Sequence, residues 1–159
     1  GQKGVVVMTR EALKRLFELN HYAIGVNARD LTHEESLLGP GPAGNCANWV
    51  LGHIVATRGA VLSIVGEPPV WDAAMGERYK RGSSPIARDE AKPFPEILES
   101  LDRSQERLVA GLARLEDEAL GKDDGESIGS KLAFLQFHEA YHAGQLGLLR
   151  RIAGKKGAI

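Results

Sequence analysis

The chain has 159 residues, 43% of them hydrophobic, with 20 basic against 21 acidic side chains and a pI near 6.6. That length and apolar content suit one domain over residues 1–159 with a single core, and the balanced charge offers no broad grip on nucleic acid or an anionic membrane surface. The longest uncharged apolar run, AVLSIV, is far too short to span a bilayer, VVVM breaks at Thr9-Arg10-Glu11 without a signal-peptide pattern, and the lone Cys46 excludes an internal disulfide, so a cytoplasmic protein is expected.

Four segments have helical periodicity and none alternates as a strand does, so the fold class is all-α. The first helix is expected from Thr9 as N-cap to about Asp30, with Leu13, Leu16, Phe17, Ile24 and Leu31 as its apolar contacts. GPGPAG then breaks the chain, and a second helix runs from Asn45 as N-cap until Gly66 and Pro68-Pro69 stop it. Gly52 and Gly59 inside it cost helix propensity and predict close packing at both points. The connection that follows, GEPPVWDAAMGERYKRGSSPIARDEAKPF, is long for a compact domain. Roughly 28 extended residues can travel the length of a 20-residue helix, about 30 Å, and so permit a crossover that leaves the second and third helices parallel. Trp71 and Tyr79 are expected to pin this connection to the bundle or to a partner subunit, and the need to cover Trp71, Met75 and Tyr79 predicts a homodimer. A third helix opens at about Pro95, with Ile97, Leu101, Ser104, Leu108, Gly111 and Leu115 at alternating steps of four and three. The fourth begins around Ser127 to Ser130 and frays at Gly154.

The fourth helix carries FHEAYHAGQ, in which His138-Glu139-Ala140-Tyr141-His142 fits the H-E-x-x-H pattern of zinc proteases. One helical turn apart, His138 and His142 can grip one ion, but a zinc protease takes its third ligand from downstream, where this chain has no His, Asp, Glu or Cys. A protease is therefore excluded, and a third ligand has to come from upstream. His33, in LTHEES, is read as an exposed residue at a short helical turn, and His21 as a surface residue. His53 shares an inward stripe with Cys46, Trp49, Ala56, Ala60 and Ile64, where the two alanines leave room beside it. On the fourth helix the same projection lines up Phe134, His138, His142, Gln145, Leu149 and Ile152. Each histidine by itself fits a core imidazole satisfied by a carbonyl; the i, i+4 pair with a third on a facing stripe fits an N₃ metal site in a bundle core. Spacing leaves both readings open.

NWVLGHI, followed much later by HEAYHAGQLGLLRR, resembles the DinB-like family of damage-inducible helical bundles, a superfamily that includes YfiT-like proteins and thiol-dependent S-transferases. The resemblance covers nearly the whole chain, including PGPAGNCANW and the long second connection. It implies a four-helix bundle in up-down-down-up order and a metal triad of His53, His138 and His142. Three neutral imidazoles suit Zn²⁺, Ni²⁺ or Fe²⁺ and leave positions free for a water or a small-molecule substrate. The chemistry implied is transfer to a low-molecular-weight thiol, or hydrolysis by metal-activated water; a noncatalytic metal- or ligand-binding bundle is the alternative.

Glu139, placed where zinc proteases carry their base, projects about 100° from His138 and is read as supporting the site or paired with a basic residue rather than catalytic. Gln145 either orients an imidazole or a ligand, or packs as an amide against a neighbouring helix. Trp49 and Asn20 are taken as further residues around the ligands, with Asn27 on the same side of the first helix as Asn20. Arg58 and Arg150 either neutralise an anionic substrate or form exposed salt bridges. Cys46, two turns from His53 and about 10 Å along the axis, is too far to share its metal. Nucleic acid is not an expected partner, since no basic stripe is present.

Overall fold

The structure, a computed structural model, describes residues 8–42, 44–121 and 126–159. The Val residues of the opening run, and with them the reading of a missing leader, lie outside the described residues. Seven helices make up the described chain, with no strand: α1 (Arg10–Ala28), α2 (His33–Ser36), α3 (Ala47–Ile64), α4 (Ala73–Tyr79), α5 (Phe94–Arg114), α6 (Asp117–Leu120) and α7 (Ile128–Ile152). No helix of the described residues is long and apolar enough to cross a membrane.

The four long helices occupy the segments whose periodicity marks them, and α1 starts as expected, with the Thr9 hydroxyl accepting from the Ala12 amide at 3.1 Å. At α3 the N-cap is Cys46 rather than Asn45, with no side-chain cap bond, so this start is held by burial of the first turn instead. The short helices, of four to seven residues, lie in connections, where one or two turns have too few residues to show a period. In α2, Thr32 and Glu35 form a capping box.

The four long helices pack as a bundle. Asn20 of α1 meets Gln136 and Glu139 of α7, and Asn27 lies beside Gly147. Asn48 of α3 donates to the Lys92 carbonyl just before α5, Arg58 reaches Gln105, and Val65 lies over Gly111. Two apolar clusters fill the interior, one containing Phe17, Leu62, Leu108 and Leu132, the other Ile24, Leu51, Leu101 and Leu146. Between them, each helix contributes to a polar layer of Asn20, Arg58, Ser104, Gln105 and Glu139. The Arg58 guanidinium, fully buried, forms a two-pronged ion pair with Glu139, donates to Gln105 at 2.9 Å, and lies over the Phe17 ring. The expectation of an exposed salt bridge fails for Arg58; Arg150 is buried too, but its partner Asp30 is 54% exposed, and with a further bond to the Lys156 carbonyl at 2.6 Å it ties the end of α7 to the end of α1. Both sit where charge must be paired, because an isolated buried ion costs several kcal/mol.

The long connection is pinned by its own aromatic residues. Tyr79, at the end of α4, is 0% exposed; its hydroxyl donates to Asn48 at 2.9 Å and accepts the Lys92 amide at 2.9 Å. Trp71 donates to the Ser100 hydroxyl at 3.0 Å. A side chain at Gly52 would put its Cβ 2.2 Å from the Tyr79 ring, so this glycine lets α4 seat against α3. At Gly59 the nearest atom, on Pro69, would be at an ordinary 3.7 Å, and the close packing expected there is absent. Since the chain's own helices cover Tyr79, this residue gives no reason for a partner subunit.

The projected stripes need correction at their ends. Phe134 and Ile152 are 61% and 41% exposed, and Ala60 is exposed as well, while Glu139, projected off the stripe, is buried. Apolar residues surround most of α3 and α7, so periodicity alone does not select the face that turns inward.

Candidate metal centre

His53 lies at the end of the second turn of α3, facing His138 and His142 of α7, and the ligand atoms of the three lie within 4.8 Å of one another. The Nε2 atoms of His138 and His142 are 3.2 Å apart. Each of two rings is held by its other nitrogen. Nδ1–H of His53 donates to the Tyr79 carbonyl at 2.8 Å, and Nδ1–H of His142 donates to Oε1 of Gln145 at 2.7 Å. With Nδ1 engaged as donor, the tautomer leaves the Nε2 lone pair of both rings free for a cation. Trp49 stacks on the His53 ring at 4.8 Å and 8°, and is itself anchored by its indole N–H on the Ser83 hydroxyl at 2.9 Å.

The site is recessed from the surface. His53 and His142 are buried and His138 half-buried. Burial pushes His53 below the ordinary histidine value, and the neighbouring His142, His138 and Arg81 push in the same direction against the Tyr79 carbonyl bond. His138 is lowered by burial first, then by His142 and Arg81, with Glu139 opposing. Neutral imidazoles are the form that ligates metal, so burial prepares His53 and His138 for an ion before one arrives. The donor set fits a divalent transition metal and leaves coordination positions toward a cavity of about 480 Å³, lined also by Pro40, Val50, Arg81, Tyr141, Leu148 and Leu149.

Of the other residues expected around the site, Trp49 and Gln145 line this cavity, and Gln145 orients an imidazole rather than packing against another helix. Asn20 does not line it. Its amide donates to the Gln136 carbonyl and to Glu139, both at 3.0 Å, in the polar layer beneath the histidines. Glu139 is committed to Arg58 and Asn20, leaving its carboxylate turned away from the cavity. Ala56 and Ala60 open onto a separate shallow depression beside Pro69 and Trp71, so the room at His53 is made by the loop before α3 and by α7 instead. His21 pairs with Asp102 at 2.8 Å, Asn27 donates to the Ala23 carbonyl, and His33 is half-buried, its Nδ1 accepting the Phe94 amide at 3.1 Å rather than facing solvent. Neither Arg81 nor the Tyr79 carbonyl is marked in the sequence, because they reach the site from the end of the short α4 and just beyond it, in a long connection whose path no periodicity reports.

No curated protein matches the chain. Among solved structures, the crystal structure of a conserved protein from Enterococcus faecalis is similar in fold, with a TM-score of 0.72 over 93% of this chain and 99% of that one at 16% identity. The family model of the DinB superfamily matches residues 10–146, a span that contains α1, α3, α5 and all three histidines. The chain belongs to the DinB superfamily.

Proposed function

We propose that His53, His138 and His142 hold one divalent transition metal, zinc or nickel ahead of iron, and that the chain is a metal-dependent enzyme acting on a small molecule in the cavity above them. The observation that carries this is the pairing of free Nε2 atoms with engaged Nδ1 atoms: two imidazoles are oriented from behind to leave donors on one point. A metal held there supplies Lewis acidity to a water or a thiol. Within the same reading the four long helices form an up-down-down-up bundle. In support, residue numbers rise together between α1 and α7 and between α3 and α5, and run oppositely between α3 and α7, where Arg58 meets Glu139 and His53 meets His142.

The chain's own residues indicate the substrate class. Arg81 is exposed at the cavity, and its positive charge acts on two of the histidines, which favours a substrate bearing an anionic group. Val50, Leu148, Leu149 and the Trp49 ring supply apolar walls for the rest of it. Thiol transfer to or from a low-molecular-weight thiol with carboxylates fits both features, and hydrolysis of an acidic ester or amide fits the metal and Arg81 equally. Glu139 has no part as base, since Arg58 holds it.

The test has two parts. Elemental analysis of protein purified without a His-tag or nickel column should find one metal per chain, and the His53→Ala, His142→Ala double variant should lose it. Loaded protein is then assayed on electrophiles with glutathione, mycothiol or bacillithiol, beside esters and amides without thiol. Turnover that needs both metal and thiol supports transfer. Turnover that needs metal alone supports hydrolysis, and a loaded protein that binds small acids but turns over nothing replaces the enzyme with a binding bundle.

A further inference from the structure

The long connection meets the histidine cavity as a single tight turn, Lys80 to Ser83. The Ser83 amide donates to the Lys80 carbonyl at 3.0 Å, and Gly82 has φ +81°, so Arg81 and Gly82 occupy the two central positions of a type II turn. Both ends of this turn are tied to α3. Just ahead of it, the Tyr79 carbonyl accepts Nδ1–H of His53 at 2.8 Å; at its far end, the Ser83 hydroxyl accepts the indole N–H of Trp49 at 2.9 Å, and the Trp49 ring stacks on His53. The near end is fixed a second time, because the Tyr79 hydroxyl is held between Asn48 and the Lys92 amide. Two anchors thus bear on one imidazole, and the turn between them carries Arg81.

Among the described residues Arg81 has no hydrogen-bond or ion-pair partner, although Lys80 beside it pairs with Glu77, and Arg88 further along the connection pairs with Glu34. It is also the one fixed charge among the described residues that line the cavity, since histidines ligate as neutral rings. Its field reaches two of those rings, His53 and His138, and opposes a proton on either. A divalent ion at the same nitrogens carries twice the charge of a proton and meets the same opposition. An anion seated on the guanidinium cancels it. Because Arg81 is exposed, the opposition is modest and salt screens it.

We infer that the turn from Lys80 to Ser83 is a preformed anion seat, and that an organic acid on Arg81 and a divalent ion on the three histidines bind cooperatively, each tightening the other. This rests on the metal reading proposed above and adds to it a coupling between the charged end of the substrate and the metal. The ligand is a small molecule with one anionic group for Arg81 and an apolar body for Val50, Leu149 and the Trp49 ring. The anchors on His53 and Trp49 hold the turn before the ligand arrives, so little order is lost on binding. By linkage, the factor by which the acid tightens the metal equals the factor by which the metal tightens the acid. The metal-loaded chain is then the form that retains an anionic substrate, and the acid-free chain holds its metal less firmly.

Benzenesulfonate is the probe, because a sulfonate scarcely coordinates metal ions, and methyl phenyl sulfone is its neutral control. Zinc affinity, read by competition with a chromophoric chelator, should rise about fivefold with saturating benzenesulfonate and stay level with the sulfone. Arg81→Gln should bind zinc about fivefold more tightly than wild type without the anion, and benzenesulfonate should add nothing to it. Arg81→Lys should keep the coupling, and about 1 M salt should remove it. NMR titration of the zinc-free chain reads the seat alone. There benzenesulfonate should bind, Arg81→Gln should abolish the binding, and Ser83→Ala, which keeps the charge but frees one anchor, should weaken it about threefold. Zinc affinity that ignores benzenesulfonate, or a coupling that survives Arg81→Gln, would overturn the inference and leave the metal reading standing. A chain that takes up no zinc overturns the metal reading and the coupling together. The zinc-free titration then decides the seat by itself, and the seat fails if Arg81→Gln binds benzenesulfonate as wild type does.

Discussion

The Arg58–Glu139 pair offers the sharpest test of how this chain uses the glutamate of its H-E-x-x-H stretch. Both side chains are at least nine-tenths buried, and Arg58 makes further bonds to Gln105 and the Ser104 hydroxyl while Glu139 accepts from Asn20. Removing one partner strands the other charge in the layer between two apolar clusters. For Glu139→Gln, Glu139→Leu or Arg58→Met this should cost about 3–5 kcal/mol, which at about 2–4 °C per kcal/mol for a chain of this size lowers the thermal midpoint by roughly 6–20 °C. The Arg58→Met, Glu139→Leu double variant removes both charges, yet Asn20 and Gln105 lose a partner, at about 1–3 kcal/mol for each group left unsatisfied. It should therefore recover much of the loss without exceeding wild type. Urea titrations on all four corners of the cycle give the coupling, expected above about 1 kcal/mol. Metal content should be unchanged by Glu139→Gln, since this carboxylate does not line the cavity. Additive losses, or a Glu139→Gln variant as stable as wild type but without metal, would refute this reasoning and return the glutamate to the site.

Gln145→Leu removes the acceptor that holds Nδ1–H of His142, and metal affinity should fall about 10–100-fold with the fold intact, as measured by competition with a chromophoric chelator. Acidification should release the metal only below the ordinary histidine value of 6.5, because burial and positive neighbours hold His53 and His138 lower and so delay proton competition; equilibrium dialysis across pH 4–8 reads this directly. The same shifts have a sign for stability in metal-free protein. The unfolded histidines take up protons first, so their contribution is complete above 6.5 and is lost as pH falls through the lower folded values, and urea midpoints should drop in that direction.

Periodicity and punctuation in the sequence were enough to determine the four long helices, since the apolar stripe of α5 and the caps at Thr9 and Ser127 are local properties that any neighbouring fold would respect. The i, i+4 spacing of His138 and His142 likewise follows from helix geometry alone. The pairing of His53 with them was legible as an alternative, and resemblance to a family ranked it. What only the tertiary structure decided is everything that depends on the rotation of one helix against another. It turned Glu139 inward to Arg58, left Phe134 on the outside, moved Asn20 from the expected site to the layer beneath it, and brought the Tyr79 carbonyl and Arg81 from the long connection to the histidines. The reason is physical: α3 and α7 are apolar on most of their circumference, so burial stabilises several rotations almost equally. The choice among them falls to long-range constraints, chiefly the requirement that Arg58 find Glu139 and that the Tyr79 ring find Gly52, which no window of sequence contains.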